Sequence, residues 1–284
     1  MSIEIETHKQ ENPISVKNDN PIGIPDPESK FHVELEDVRT WKSVIETLKF
    51  CDEANFIIVT EKGLECKGFN TIKSGMISLV IPADCFKNFH CTNTMKLGLN
   101  FQEFDSIMKR AKNEDVISLD LDIRGINALL NATFEHLDST RKFGVSLLDL
   151  PVEIFPKTDS SVSNVRMVID STILKQMISD SVDMGNQILF IADTEKLVIN
   201  CLTDNGTSNY DLTIPKGSRF LTEYEIKEPS SSRYNRDYLE AIIRPMIDGE
   251  PVKLSFSSSL PLFMETNVMG KGNLLRLLAP RIEV

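Results

Sequence analysis

One tryptophan, four tyrosines and four histidines are a thin supply, in a chain of 284 residues, of the side chains from which many active sites are built. The histidines (His8, His32, His90 and His136) are scattered. The five cysteines (Cys51, Cys66, Cys85, Cys91 and Cys201) are odd in number and include no CxxC pair. Cys85 and Cys91, the nearest two, have no second pair to complete a zinc site, so reduced thiols in or near cores are expected, with no metal and no disulfide. The chain also lacks a phosphate-cradling glycine loop and a nucleophile elbow. Its carboxylates mostly alternate with apolar strand residues, as they do on solvated faces. An enzyme is therefore not expected, nor a cofactor. No run approaches the roughly 20 apolar residues of a membrane span, and the N-terminus is too polar for a secretory signal. These absences predict an intracellular protein with no membrane partner.

The formal charge of −11, from 31 basic and 42 acidic residues, argues by itself against nucleic acid. That objection fails only if the basic residues gather on one surface. Residues 1–30 carry Pro13, Pro21, Pro25 and Pro27 among polar residues and read as a disordered tail, or alternatively as a partner-binding segment. From Phe31 the pattern becomes regular. FHVEL reads as a strand. In DVRTWKSVIETLKF, Val38, Trp41, Val44, Ile45 and Leu48 form a helical apolar stripe. Strands NFIIVT, GLECKGF, MISLVI and KLGLNF follow, with a short helix near Asp84–Phe89, a second long helix at about Gln102–Ala111, and further strands to RKFGVSLLDL.

The programme then repeats. DSTILKQMISDSVDM is a helix opened by a capping cluster, followed by QILFIADTEKLVINCL. Thr60-Glu61-Lys62 and Thr194-Glu195-Lys196 occupy the same strand-turn-strand position, 134 residues apart, and three other elements keep that offset within a residue. The fold class is α+β, a duplicated domain of antiparallel sheets with two helices per copy. The expected divisions are the tail at 1–30, one domain at 31–149, a proline-bearing connector at 150–164, and a second domain at 165–284.

The polar faces of the four long helices hold much of the positive charge. The first carries Arg39, Lys42 and Lys49 opposite the Trp41 stripe, and the second carries Lys109, Arg110 and, just beyond, Lys112. The third offers Lys175 beside Asp180 and Asp183, and the fourth is expected to carry Arg233, Arg236 and Arg244. Four equivalent helices on one surface would make a basic lining on an acidic body, suited to phosphates and without sequence preference.

These residues also carry a likeness. LLAPRIEV at the C-terminus resembles the LAP-(K/R)-I-E signature of the eukaryotic and archaeal DNA sliding clamps, the proliferating cell nuclear antigen (PCNA) family. SSSLPLF, SRYNRDYLEAI and KLGLNFQEFDSIMKRAKNEDVISL are similar to further segments of that family, in the same order. The tail is extra, the segment GFNTIKSGM diverges from the family's front loop, and the third helix is less basic than usual.

The resemblance implies a trimeric, pseudo-sixfold ring with sheets outside and helices lining a central hole. Such a ring would encircle double-stranded DNA and serve as a processivity factor in replication and repair. It would tether DNA polymerase, clamp loader, ligase and flap nuclease through short hydrophobic motifs. DNA-facing positions would be Lys42, Lys49, Lys109, Arg110, Lys112, Lys175 and Arg244, with Arg236 added from its helical face. The partner groove would comprise Phe69, Lys73, Met76, Ile154, Phe155, Pro156, Pro261, Leu277, Ala279 and Pro280, although Ile154 and Phe155 have a second reading as anchors of the connector. Subunits would join through edge strands bearing Lys142, Val145 and Leu147 on one side and Tyr210 and Leu212 on the other, as a homotrimer or with related subunits. The location would be the nucleus of a eukaryote, the cytoplasm of an archaeon or the host cell of a virus. The alternative is a specialised clamp, for damage signalling or as a heterotrimer subunit, or a protein scaffold with little DNA role.

Overall fold

The computed structural model describes residues 25, 27–51, 54–124, 127–151, 155, 160–203 and 208–281. The expected tail up to residue 24, and Ile154 and Pro156 of the connector, lie outside the described residues.

The first half runs β1 (Phe31–Leu35), α1 (Val38–Leu48), β2 (Ala54–Thr60), β3 (Gly63–Phe69), β4 (Gly75–Pro82), β5 (Asn88–Cys91), β6 (Met95–Asn100), α2 (Phe101–Met108), β7 (Val116–Arg124), β8 (Asn127–His136) and β9 (Ser139–Ser146). The second half repeats that order: β10 (Val165–Asp170), α3 (Ser171–Asp180), β11 (Gln187–Ala192), β12 (Lys196–Leu202), β13 (Ser208–Pro215), β14 (Leu221–Ile226), β15 (Ser230–Asn235), α4 (Arg236–Ile243), β16 (Pro251–Phe256), β17 (Leu262–Val268) and β18 (Gly272–Leu278). Among the described residues, no helix is long and apolar enough to cross a membrane.

Local chemistry repeats as well. Asp37 and Asp170 cap α1 and α3 by accepting from the backbone N–H of Thr40 and Thr172, while Asn100 and Asn235 do the same for α2 and α4. Each side-chain oxygen satisfies a donor that has no partner inside its helix. The α1 stripe is buried as its spacing predicts, with Trp41, Ile45 and Leu48 fully inside. Burial of each such side chain stabilises the fold by roughly 1.5–3 kcal/mol.

The strands form a five-stranded sheet (β5-β1-β7-β8-β9), a four-stranded sheet (β13-β12-β11-β15) and a nine-stranded sheet between them (β14-β10-β16-β17-β18-β4-β3-β2-β6). The nine-stranded sheet crosses the duplication, because β18 of the second half pairs antiparallel with β4 of the first, from Asn273 opposite Val80 to Leu278 opposite Gly75. The equivalents of those two strands, β9 and β13, are left at sheet edges. Two glycines permit close approaches that a side chain would block. A Cβ at Gly63 would sit 2.1 Å from the Ile81 carbonyl oxygen, and one at Gly98 would sit 2.1 Å from that of Leu148, where the chain leaving β9 crosses β6.

Two expectations are corrected. Asp84–Phe89 is not a helix but a single 3-10 turn at Ala83–Cys85 followed by β5. Phe86 turns extended, and Phe89 packs on Phe86 and Phe31 while β5 takes the open edge of β1. Arg233 belongs to β15, where SSSRYN alternates between buried and more open positions, and does not lie on α4.

The repeated caps predict that Asn100→Ala and Asn235→Ala will each cost about 1 kcal/mol of unfolding free energy. Urea unfolding of each variant checks this, and a loss within error at either site would show that the cap there is not a stabilising contact.

Candidate functional site

The four helices present one connected polar surface. Helix α1 packs on α2 and α3 on α4, and Ser43 Oγ of α1 donates to the carbonyl oxygen of Pro245, just past α4, at 2.6 Å. Between them lies a shallow cleft of about 260 Å³ lined by Arg39 and Lys42 from α1, Lys175 from α3 and Arg244 beyond α4, together with Glu46 and Asp248. A neighbouring cleft of about 230 Å³ adds Lys49 and is again bordered by Glu46 and Arg244. The structure therefore brings Lys42, Lys49, Lys109, Lys175 and Arg244 onto one face, joined by Arg39, whose spacing of three residues from Lys42 was the signal for it.

Most of these cations are held by acids. Asp105, only 4% exposed, accepts from Lys49 at 2.8 Å and Lys109 at 2.9 Å, and Lys109 also lies 3.8 Å from Glu46. Its hydrogen bond to the Asp105 carboxylate pushes the Lys109 ammonium above the ordinary lysine range. Lys175 is held by Asp248 at 2.5 Å, and that ion pair pulls the Asp248 carboxyl below its usual range. Lys42 donates to the carbonyl oxygen of Ala111, whereas Arg244 is 76% exposed and only loosely paired with Glu240, at 3.7 Å. The pairing fixes where the positive charge stands and reduces how much of it faces solvent.

Three positions fall elsewhere. Arg236 is buried, and its guanidinium donates to the carbonyl oxygens of Ser181 at 3.1 Å and Ile178 at 3.0 Å and to Glu240 at 2.9 Å. It closes the C-terminal end of α3, where unpaired carbonyls attract a cation, so it is corrected from a surface contact to a structural cap. Arg110 lies over the Phe143 ring at 5.5 Å, against β9, and Lys112 is exposed in the turn after α2. Along the two free edges, Lys142 is exposed and Leu147, Tyr210 and Leu212 are half-buried. The Tyr210 hydroxyl is pushed up to about 12 by burial and by Asp180. Val145 is fully buried, so its side chain packs in this chain's own core and only its backbone is offered at the edge.

The second assembly is on the outer face of the nine-stranded sheet. Register aligns Phe69, Met76, Leu277 and Phe263 in one row across β3, β4, β18 and β17. Phe155 stacks on Phe69 with centroids 5.3 Å apart, and the Lys73 ammonium stands 5.8 Å above the Phe69 ring. The N–H of Ala279 donates to the Ser74 carbonyl at 2.7 Å, so the chain carrying Ala279 and Pro280 is fixed beside the β3–β4 turn. Phe155 thus anchors the connector on Phe69 at one end of this apolar row. Met76 is buried, while Phe69, Pro261, Leu277, Ala279 and Pro280 are partly open. Ile72 and Leu260, exposed at 64% and 51%, sit beside Lys73 and Pro261 and were not anticipated. Their signal was a large apolar residue inside a polar turn.

Residues 30–154 match the family model for the proliferating cell nuclear antigen N-terminal domain. The chain is 27% identical over 249 residues to the DNA polymerase sliding clamp of Thermofilum pendens, covering 87% of this chain and 97% of that one. It is 25% identical over 254 residues to that of Pyrococcus furiosus, covering 89% and 99%. The chain is similar along most of its length to the PCNA family of sliding clamps. Its fold agrees with crystal structures of PCNA from Thermococcus kodakaraensis (TM-score 0.79, 22% identity, 88% of this chain and 100% of that one) and Entamoeba histolytica (TM-score 0.76, 22% identity, 89% and 99%). The chain has the duplicated domain, with the helices on one side and the apolar row on the other.

Asp105→Asn should return the Lys109 pKa toward the ordinary lysine value, read by NMR titration of lysine side chains. Because the folded pKa is raised, the contribution of this contact to stability is complete below the ordinary lysine pKa and fades as pH rises through the raised value. An unchanged Lys109 titration in the variant would mean that Asp105 is not the cause.

Proposed function

We infer that the chain is a DNA sliding clamp that encircles duplex DNA as a ring and holds replication and repair enzymes there without catalysis of its own. The observation that carries this reading is the unequal fate of equivalent strands. β18 and β4 pair inside the chain, while β9 and β13 are open edges of the same kind. A second copy would satisfy them head to tail, and such a heterologous contact closes into a ring when the rotation allows.

The register of that contact follows from the repeat. Val145 corresponds to Leu278 as the last core-facing residue of its strand, and Ile214 corresponds to Ile81, each pair holding the same place in its hairpin. Carrying the β18–β4 register across places Lys142 opposite Asp211 and Phe143 opposite Tyr210. Opposite charges and an aromatic pair at facing positions favour this pairing of identical chains, each by roughly 0.2–1 kcal/mol. A homotrimer is therefore the proposed state. Its helices would bring the surface around Arg39, Lys42, Lys49, Lys109, Lys175 and Arg244 to the hole, facing phosphates and carrying no base preference. The apolar row from Phe69 to Phe263 would receive a short hydrophobic motif of polymerase, clamp loader, ligase or flap nuclease, raising the local concentration of that enzyme. An intracellular location follows from that role.

The test joins mass in solution with retention on circular DNA. Lys142→Glu and Asp211→Lys should each weaken the trimer several-fold and shorten retention, and the double exchange should restore both. Arg39→Gln with Arg244→Gln should leave the mass unchanged and flatten the salt dependence of retention, similarly on unrelated sequences. Restoration that fails, or a salt slope that does not move, would overturn the register or the lining respectively. A wild-type monomer would make this a subunit of a mixed ring.

Phe155→Ala should weaken binding of a clamp-interaction peptide by about 1–3 kcal/mol, measured by calorimetry. Equal affinity would leave Phe155 as an anchor of the connector alone.

A further inference from the structure

Arg276 is among the largest fully buried side chains of the molecule, at 1% exposure, in the middle of β18. The repeat shows how unusual this is. Two residues back from the last core-facing residue of the strand, the first half has Phe143 on β9 and the second half has Arg276. A guanidinium has replaced a ring at a position that points into the core, and an uncompensated charge there is strongly destabilising.

Its surroundings do not compensate it. Nη1 donates to Thr266 Oγ1 at 2.9 Å, whereas Nε is buried with no hydrogen-bond partner. Among the described residues Arg276 forms no ion pair with any carboxylate. Burial pushes the guanidinium down to about 10, and Glu250 opposes that fall from beyond contact distance. The group stays charged at neutral pH.

The side chain borders a cavity of about 260 Å³ at the junction of the two halves. Thr40, Ser43 and Val44 of α1 form one wall, residues 247–250 form the second, and β17 and β18 form the floor with Thr266 and Arg276. Two carboxylates also line it, and both are engaged. Asp248 holds Lys175, and Glu250 accepts from the backbone N–H of Ile247 at 3.2 Å. The hydroxyls of Thr40 and Ser43 are turned away, onto Asp37 and the Pro245 carbonyl. Thr266 Oγ1 accepts from Arg276 and so keeps its own hydrogen to donate. The cavity therefore has a fixed positive charge and an unused O–H at its floor, with Nε buried behind them, and it has room for several water-sized groups.

We propose that this cavity binds a small inorganic oxyanion, phosphate or sulfate, through the Arg276 guanidinium and the Thr266 hydroxyl. The ligand would neutralise the buried charge and connect β18 to the loop of residues 247–250, at the seam where the halves join. It is separate from the apolar row, which lies on the opposite face of the sheet, and from the proposed DNA-facing cations, although Ser43, Ile247 and Asp248 border both clefts.

The experiment is thermal unfolding of the full chain in rising phosphate, with chloride adjusted to constant ionic strength. The wild type should show a saturable rise in Tm, because a ligand bound only by the folded state stabilises it by mass action. Arg276→Met, similar in length and apolar, should abolish the response while the basic helix face stays intact, and Glu250→Gln should lower the half-saturating concentration. Phosphorus NMR line-broadening on wild type and Glu250→Gln gives the same ranking if the methionine variant does not fold. A flat wild-type response, with Glu250→Gln destabilising the fold, would mean that water bridges Arg276 to Glu250 and would overturn the proposal. A response that survives Arg276→Met in a folded protein would place the anion on the exterior and overturn it equally.

Discussion

Hydrogen bonding between β18 and β4 is the contact on which the rest of the molecule depends. Each half of the chain brings a five-stranded and a four-stranded sheet, and only this ladder makes two of the four sheets into one of nine strands. Backbone donors and acceptors at a sheet edge must find partners or water, and the covalent link between the halves brings these two edges together at high effective concentration. Once they are joined, α1 and α4 lie side by side, the Ser43–Pro245 hydrogen bond forms, and the cations of separate helices become a single surface. The remaining edges, β9 and β13, are displaced to opposite ends of the chain's run of sheets and cannot meet within one copy.

Charge is distributed so that this surface is positive only by a small margin. Arg39, Lys42, Lys49, Lys109, Lys175 and Arg244 face Glu46, Asp105, Glu240 and Asp248, in a chain of formal charge −11. Lysines anchored on carboxylates stay at fixed points of the helices and do not reach far into solvent. A surface of that kind suits brief, exchangeable contact with phosphates more than tight binding, in keeping with the proposed sliding role. On that proposal the acidic remainder of the chain would discourage DNA from binding elsewhere.

Arg236 and Arg276 mark the limit of reading polarity as exposure. Both are charged and both stand in segments whose pattern is otherwise regular, yet both are buried. Arg236 is explained within the described residues by the carbonyls at the end of α3 and by Glu240. Arg276 is not, since its Nε has no partner and its charge no contact ion. The first is a compensated core charge, while the second leaves a charge for which a ligand is proposed.

Periodicity and repetition in the sequence determined much of this protein: the α1 stripe, the cap at Asp170 and the duplication. These features depend on residues near one another along the chain, or on one pattern met twice, and so they are legible without coordinates. The α+β class and the basic helix faces followed from the same signals, and the likeness to the PCNA family from local motifs such as LLAPRIEV. Contacts between distant residues were decided only by the tertiary structure. The pairing of β18 with β4, the sharing of Asp105 by Lys49 and Lys109, and the stacking of Phe155 on Phe69 each join segments whose own patterns do not name their partners. β5 formed where a helix was expected because the open edge of β1 and the rings of Phe31 and Phe86 outweighed a weak local preference. Arg276 went inside because strand alternation fixes the face of every second residue, whatever its charge, once Leu274 and Leu278 face the core.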